Sequence, residues 1–119
     1  MMMMINFKNT YKPLPSCVTI KESGIHGLGL FATEDIPEDT ELGLMRLFYY
    51  GSWIRTALGS YPNHVDTDPN CFNRWSLNDF NDDEYYLVTT KNISIGDELT
   101  LTYKMGEYHK PADAWLISL

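Results

Sequence analysis

The 119-residue sequence predicts a mostly β domain made of several short sheets with little helix. Three observations carry that expectation. Short apolar and β-branched runs recur between turn residues, the pattern of small sheets. Glu98–Tyr103 alternates Leu99 and Leu101 against Thr100 and Thr102, as a half-buried strand does. No window sustains a helical period; the best candidates are short stretches near Ser52–Leu58 and at Ala112–Ser118.

Taken in order, residues 1–16 carry Pro13 and Pro15 after four leading methionines and read as a loosely held arm. Residues 17–119 read as one domain with a short C-terminal tail, a length that buries a core without staples. Cys17-Val18-Thr19-Ile20 and Leu28–Thr33 are strands, and Ile36-Pro37-Glu38-Asp39 is a turn. Thr40–Tyr50 is an apolar, aromatic run with strand character. Arg74–Leu77 and Tyr85–Thr90 flank the acidic Asn78–Glu84 segment as a hairpin, and Ile93–Asp97 turns the chain into the last strand.

Nine basic residues against sixteen acidic ones give a net charge of −7. The imbalance sharpens between Asn63 and Glu98, where eight acids (Asp66, Asp68, Asp79, Asp82, Asp83, Glu84, Asp97, Glu98) face only Arg74 and Lys91. Such a field repels phosphate backbones, so direct nucleic-acid binding is disfavoured, and it concentrates basic peptides near the surface. A solvated acidic face kept for solubility explains the same charge. No apolar run reaches membrane-spanning length and no leader pattern opens the chain, so the expected setting is soluble and intracellular, in the cytoplasm of a cell or of a host, with no membrane partner. Two cysteines, Cys17 and Cys71, make at most one bridge and are expected reduced; with three scattered histidines they form no zinc spacing, and no metal is expected. A small domain with exposed aromatics leaves a homodimer open.

Three segments stand out. Gly24-Ile25-His26-Gly27-Leu28-Gly29 lacks the following helix and βαβ unit of a dinucleotide site, leaving a tight turn or a backbone that lets a ligand lie close. Asn63-His64-Val65-Asp66-Thr67-Asp68-Pro69-Asn70 places Asp66, Asp68 and Asn70 at calcium-loop offsets, but Cys71 and Leu77 stand where that loop needs glycine and glutamate. An Asx-rich turn is the remaining local account. Gly96-Asp97-Glu98-Leu99-Thr100-Leu101-Thr102-Tyr103 ends a strand on a tyrosine, a position often used for packing.

In this order and spacing, from about Val18 to Tyr103, the segments resemble the signature stretches of the SET domain, the S-adenosylmethionine-dependent protein-lysine methyltransferase family. Val65 stands where the family pattern has serine, Pro62 replaces an apolar residue, and one extra residue precedes Asp68-Pro69-Asn70. About twenty residues separate Glu41 from Asn63, a pared-down middle similar to that of small viral and bacterial members. The resemblance implies a β-clip-like SET architecture whose C-terminal strand threads beneath a loop in a pseudoknot, bringing Tyr103 beside Asn63 and His64.

It also implies roles. His26, Gly27, Leu28 and Gly29 would contact the methionine part of S-adenosylmethionine, Asn63 and His64 its amino-acid and adenine ends, and Trp115 its adenine. Tyr103 would line the lysine channel and orient the nucleophile. Tyr108, with Tyr49 and Tyr50, would line the substrate channel; Met45 stands where many relatives place a channel tyrosine, and Tyr49 and Tyr50 lie nearby. The implied activity is methyl transfer to a lysine of a basic protein or peptide. The alternative is a non-catalytic SET-like module that binds the cofactor or a protein without turnover. Matches that are accidental on a small antiparallel domain would be a third case.

Overall fold

The computed structural model describes residues 13–102; residues 1–12 of the expected arm and the tail after Thr102 lie outside the described residues, while Leu14 of the arm packs against the core. Eight strands and one short helix follow in the order β1 (Val18–Glu22), β2 (Leu28–Ala32), β3 (Glu41–Tyr49), β4 (Ser52–Arg55), α1 (Ala57–Ser60), β5 (Asn63–His64), β6 (Cys71–Leu77), β7 (Asp83–Thr89) and β8 (Glu98–Leu101). They make two four-stranded sheets, ordered β1-β2-β8-β5 and β4-β3-β7-β6.

The first sheet is assembled from distant parts of the chain. β1 and β2 form a hairpin in register from Val18↔Ala32 to Glu22↔Leu28, β8 joins through Leu30↔Leu99, and β5 pairs with β8 in parallel through Asn63↔Thr100 and His64↔Leu101. Parallel pairing across so long a loop needs the rest of the fold to bring the strands together. The second sheet is a set of local antiparallel hairpins, β3 with β4 and β6 with β7, joined by β3 to β7.

The two sheets share one core. Leu30, Leu87 and Leu99 are fully buried, with Tyr85, Cys71 and Ile93 nearly so. Leu99 and Leu101 come from the alternation read in the sequence, although Thr100 on the opposite face is also buried and bonds Asn70. Cys17 and Cys71 are both free thiols, and burial pushes the Cys71 thiol up to about 12. No helix among the described residues is long and apolar enough to cross a membrane.

Two expectations change. Ser52–Leu58 is not a helix: Ser52–Arg55 is a strand paired to β3, and only Ala57–Ser60 turns helically. The cause is a two-residue hairpin turn at Tyr50 and Gly51, whose φ values of 49° and 79° fit the twist of paired strands. Tyrosine is an unusual occupant of that left-handed position, which hid the turn. β6 also starts three residues ahead of Arg74, because Cys71, Phe72 and Asn73 pair with Thr89, Val88 and Leu87.

α1 packs on β3 at an irregularity in its pairing between Leu44 and Arg46. The Thr56 hydroxyl donates to the Leu44 carbonyl at 2.6 Å and the Thr56 amide to the Met45 carbonyl at 2.9 Å. A side chain at Gly59 would run into the Met45 carbonyl oxygen, so this approach requires glycine.

Candidate functional site

The loop between β1 and β2 closes on itself. The Ser23 amide donates to the Gly27 carbonyl at 2.8 Å, and the Ser23 hydroxyl accepts from the amides of Ile25 at 2.9 Å and His26 at 3.3 Å. Gly27 completes the turn with a φ of 49°. A Cβ added at Gly24 or Gly27 would meet open space, and His26, Gly27 and Leu28 are all exposed. At Gly29 the opposite holds: an added Cβ would collide with the Glu98 carboxylate. One glycine serves conformation and the other close approach.

Glu98 and Asn63 tie this loop to two other parts of the chain. The Ser23 hydroxyl lies 2.9 Å from each Glu98 carboxylate oxygen and can donate to one of them. Asn63 Nδ2 lies 2.8 Å from Glu98 Oε2, 3.0 Å from the His26 carbonyl and 3.2 Å from the Leu28 carbonyl. One amide group therefore faces three acceptors supplied by β8 and the β1–β2 loop. The charged acceptor makes the strongest of these bonds.

Asn70 performs a related task one loop later. Its Nδ2 donates to the Glu98 carbonyl at 2.8 Å, and its Oδ1 accepts from the Thr100 amide at 2.8 Å. The side chain thereby imitates a neighbouring strand along β8. The Val65 amide donates to the Leu101 carbonyl at 2.9 Å, and the Thr102 hydroxyl to the Val65 carbonyl at 2.8 Å. Thus the segment from Asn63 to Asn70 is sewn along β8 as far as the residue before Tyr103.

Among the expected site residues, the structure brings His26, Leu28 and Gly29 together with Asn63, and Gly27 shapes the same loop. His64 follows on β5; its ring nitrogen Nε2 lies 2.8 Å from Asp66 Oδ1. Tyr103, Tyr108 and Trp115 lie outside the described residues, and so does the expected threading of the C-terminus. Tyr49 and Tyr50 are elsewhere, at the turn of the β3–β4 hairpin in the second sheet, their ring centroids 4.3 Å apart at 54°. They line an open groove of about 420 Å³ with Leu47, Asn78, Phe80 and Asp82. Among the described residues, no group of three His, Cys, Asp or Glu side chains is placed to hold a metal ion.

Sequence reasoning did not assign Ser23, Asn70 or Glu98. The available signal for Glu98 was an acid at the start of an otherwise apolar and β-branched strand, in a segment already singled out. Asn70 ended another such segment. Ser23 had only its place before a glycine turn, the usual site of a hydroxyl that bonds backbone amides.

The fold agrees with solved structures. The chain superposes on a candidate histone methyltransferase of Plasmodium falciparum with a TM-score of 0.63 at 19% identity, covering 79% of this chain and 98% of that one. It matches Chaetomium thermophilum Polycomb Repressive Complex 2 bound to S-adenosylmethionine in an autoinhibited conformation, with a TM-score of 0.60 at 22% identity, covering 86% of this chain and 16% of that one. The same complex bound to GSK126 gives a TM-score of 0.60 at 21% identity, over 85% of this chain and 17% of the other. The present chain thus spans about a sixth of the Polycomb chains. No curated protein matches the sequence. The family model for the SET domain matches residues 44–104, just over half of the sequence, and the chain belongs to the SET domain family.

Proposed function

We propose that this protein is a protein-lysine N-methyltransferase that moves a methyl group from S-adenosylmethionine to a lysine of a basic protein or peptide. The observation that carries the reading is the Asn63 amide, which joins the exposed His26–Leu28 backbone to Glu98 and so unites two of the three expected segments beside the strand leading to Tyr103. Open space over Gly24 and Gly27 fits a ligand lying against the loop backbone, and His26, Gly27, Leu28, Gly29, Asn63 and His64 would hold the cofactor there. Trp115 would cover its adenine. When bound, the cofactor supplies an electrophilic methyl group on a positively charged sulfur.

The chain's own task is to present a neutral amine. Lysine has a reference pKa of about 10.4, so deprotonation at pH 7 costs about 4.6 kcal/mol. An apolar channel reduces that cost by disfavouring the ammonium, and no dedicated base is needed. The Tyr103 hydroxyl would accept an N–H of the amine and fix its lone pair, with Tyr108 on the channel wall. Tyr49 and Tyr50 would meet the peptide farther along its approach. The net charge of −7 draws basic segments toward the surface.

The test is incubation with methyl-labelled cofactor and a mixture of basic proteins. Lysine labelling is expected, falling on the order of 100-fold in Tyr103→Phe, since a mispositioned nucleophile loses that much. Cofactor binding with no transfer to any protein pool would overturn the enzyme reading in favour of a non-catalytic module.

A further inference from the structure

Both hairpins of the second sheet end at the same side, and each raises an aromatic ring into solvent. Tyr50 at the β3–β4 turn is 88% exposed and Phe80 at the β6–β7 turn 84% exposed. Phe80 is not on a loose loop. Asn78 Oδ1 accepts from the Phe80 amide at 2.8 Å and the Asp82 amide at 2.9 Å, and the Asn78 amide donates to the Asp82 carbonyl at 3.1 Å. The turn is built to hold that ring outward, although an exposed phenylalanine gains nothing from burial. Between the two tips lies the groove of about 420 Å³, walled by Tyr49, Tyr50 and Phe80, with Leu47, Asn78 and Asp82 also lining it, and Asp82 Oδ2 lies 3.5 Å from Asn78 Nδ2.

The composition of the walls selects a ligand. Aromatic faces attract a cation whose charge is spread over methyl groups, because such a cation sheds its water more easily than a bare ammonium. A carboxylate alongside accepts a hydrogen bond from an N–H, which a quaternary ammonium lacks. The hairpin that raises Phe80 carries Asp79, Asp82, Asp83 and Glu84, with no lysine or arginine between Trp75 and Thr90. Of these acids Asp82 lines the groove, while Asp83 is buried and accepts from the Trp75 indole, Glu84 accepts from the Tyr86 hydroxyl, and Arg46 of β3 stacks on Tyr85. We propose that this groove is a binding site for a mono- or dimethylated lysine side chain on a peptide, its methylated nitrogen held between the paired rings of Tyr49 and Tyr50 on one side and Phe80 on the other, and its N–H bonded to Asp82. The site extends the peptide-side role given to Tyr49 and Tyr50 but requires no turnover and no cofactor.

The experiment is titration of the full chain with short peptides carrying dimethyl-lysine, trimethyl-lysine, or a neutral side chain in which carbon replaces the trimethylated nitrogen, followed by backbone amide shifts. Dimethyl-lysine should bind saturably and shift the amides of residues 49–51 and 78–82. The neutral side chain should bind about tenfold more weakly than trimethyl-lysine, and Tyr50→Ala or Phe80→Ala should each weaken dimethyl-lysine about fivefold. Asp82→Asn should weaken dimethyl-lysine about fivefold and leave trimethyl-lysine within about twofold. Equal affinity for the neutral side chain, or no effect of Tyr50→Ala and Phe80→Ala together, would overturn the site. Equal losses for both methylated ligands in Asp82→Asn would overturn the role of Asp82. Because the readout is binding without cofactor, failed methyl transfer leaves this site standing, and failed binding leaves the transfer reading standing.

Discussion

The two sheets are held together by different means. In the first, residues far apart in sequence meet through polar side chains: Ser23 and Asn63 reach Glu98 across 75 and 35 residues, and Asn70 reaches Thr100 across 30. In the second, two local hairpins are joined by β3 and β7, and the tips carry exposed aromatics over turns closed by short-range bonds such as those of Asn78. On the proposed reading, the difference separates two jobs. A site that must place backbone groups from three segments against one ligand needs specific, directional bonds, whereas a surface that meets a peptide needs stable strands and accessible rings.

Substitutions can sharpen that contrast. The largest effect is expected at the shared core, where Leu99→Ala empties a fully buried position and should cost about 2–5 kcal/mol in denaturant unfolding. A comparable loss should appear in alkali. Burial lifts the Cys71 thiol from 9.0 to about 12, so between those values the unfolded chain releases a proton that the folded chain retains. Stability is therefore complete below pH 9 and falls as pH rises toward 12, by up to about 1.4 kcal/mol per pH unit for this group. Cys71→Ala should flatten the slope of stability against pH in that window, whatever its cavity does to absolute stability. An unchanged slope would show that the thiol is not shielded.

Next comes the polar weave. Asn70→Ala removes the partner of the buried Thr100 amide and of the Glu98 carbonyl and should cost about 2 kcal/mol. Glu98→Ala, acting at a half-buried carboxylate, should cost about 1 kcal/mol and loosen the β1–β2 loop, raising amide exchange at Ile25 and His26. The smallest effect belongs to the tip of the second sheet, where Phe80→Ser should change stability by less than about 0.5 kcal/mol. If Phe80→Ser proves more damaging than Asn70→Ala, the division between the sheets is wrong.

The same division governs what was legible in the sequence. Strands with a clear local pattern, β1, β2, β3, β7 and β8, could be read because apolar alternation and turn residues lie within a few positions of each other. β5 could not: Asn63 and His64 have no strand pattern of their own and pair with β8 only because the fold delivers them there. β4 was hidden by a tyrosine in a left-handed turn position. At the site, the glycine loop and Asn63 were identified through family resemblance, and the residues that lock them, Ser23, Asn70 and Glu98, were not. Ser23 also closes its own loop, but the bonds from Ser23 and Asn63 to Glu98 and from Asn70 to Thr100 depend on partners supplied from elsewhere in the chain, and no local composition encodes such a partner.

The account stands most directly on whether Asn63 and the β1–β2 loop form one ligand site. Titrating S-adenosylhomocysteine into the labelled protein while following backbone amides decides it. Concerted, saturable shifts at His26–Gly29 and at Asn63–His64 are expected, with affinity at least tenfold weaker in Asn63→Ala, the loss of a half-buried hydrogen-bonding anchor at about 1.4 kcal/mol. Shifts confined to other parts of the molecule, or an Asn63→Ala variant that binds as tightly as the parent, would contradict the account.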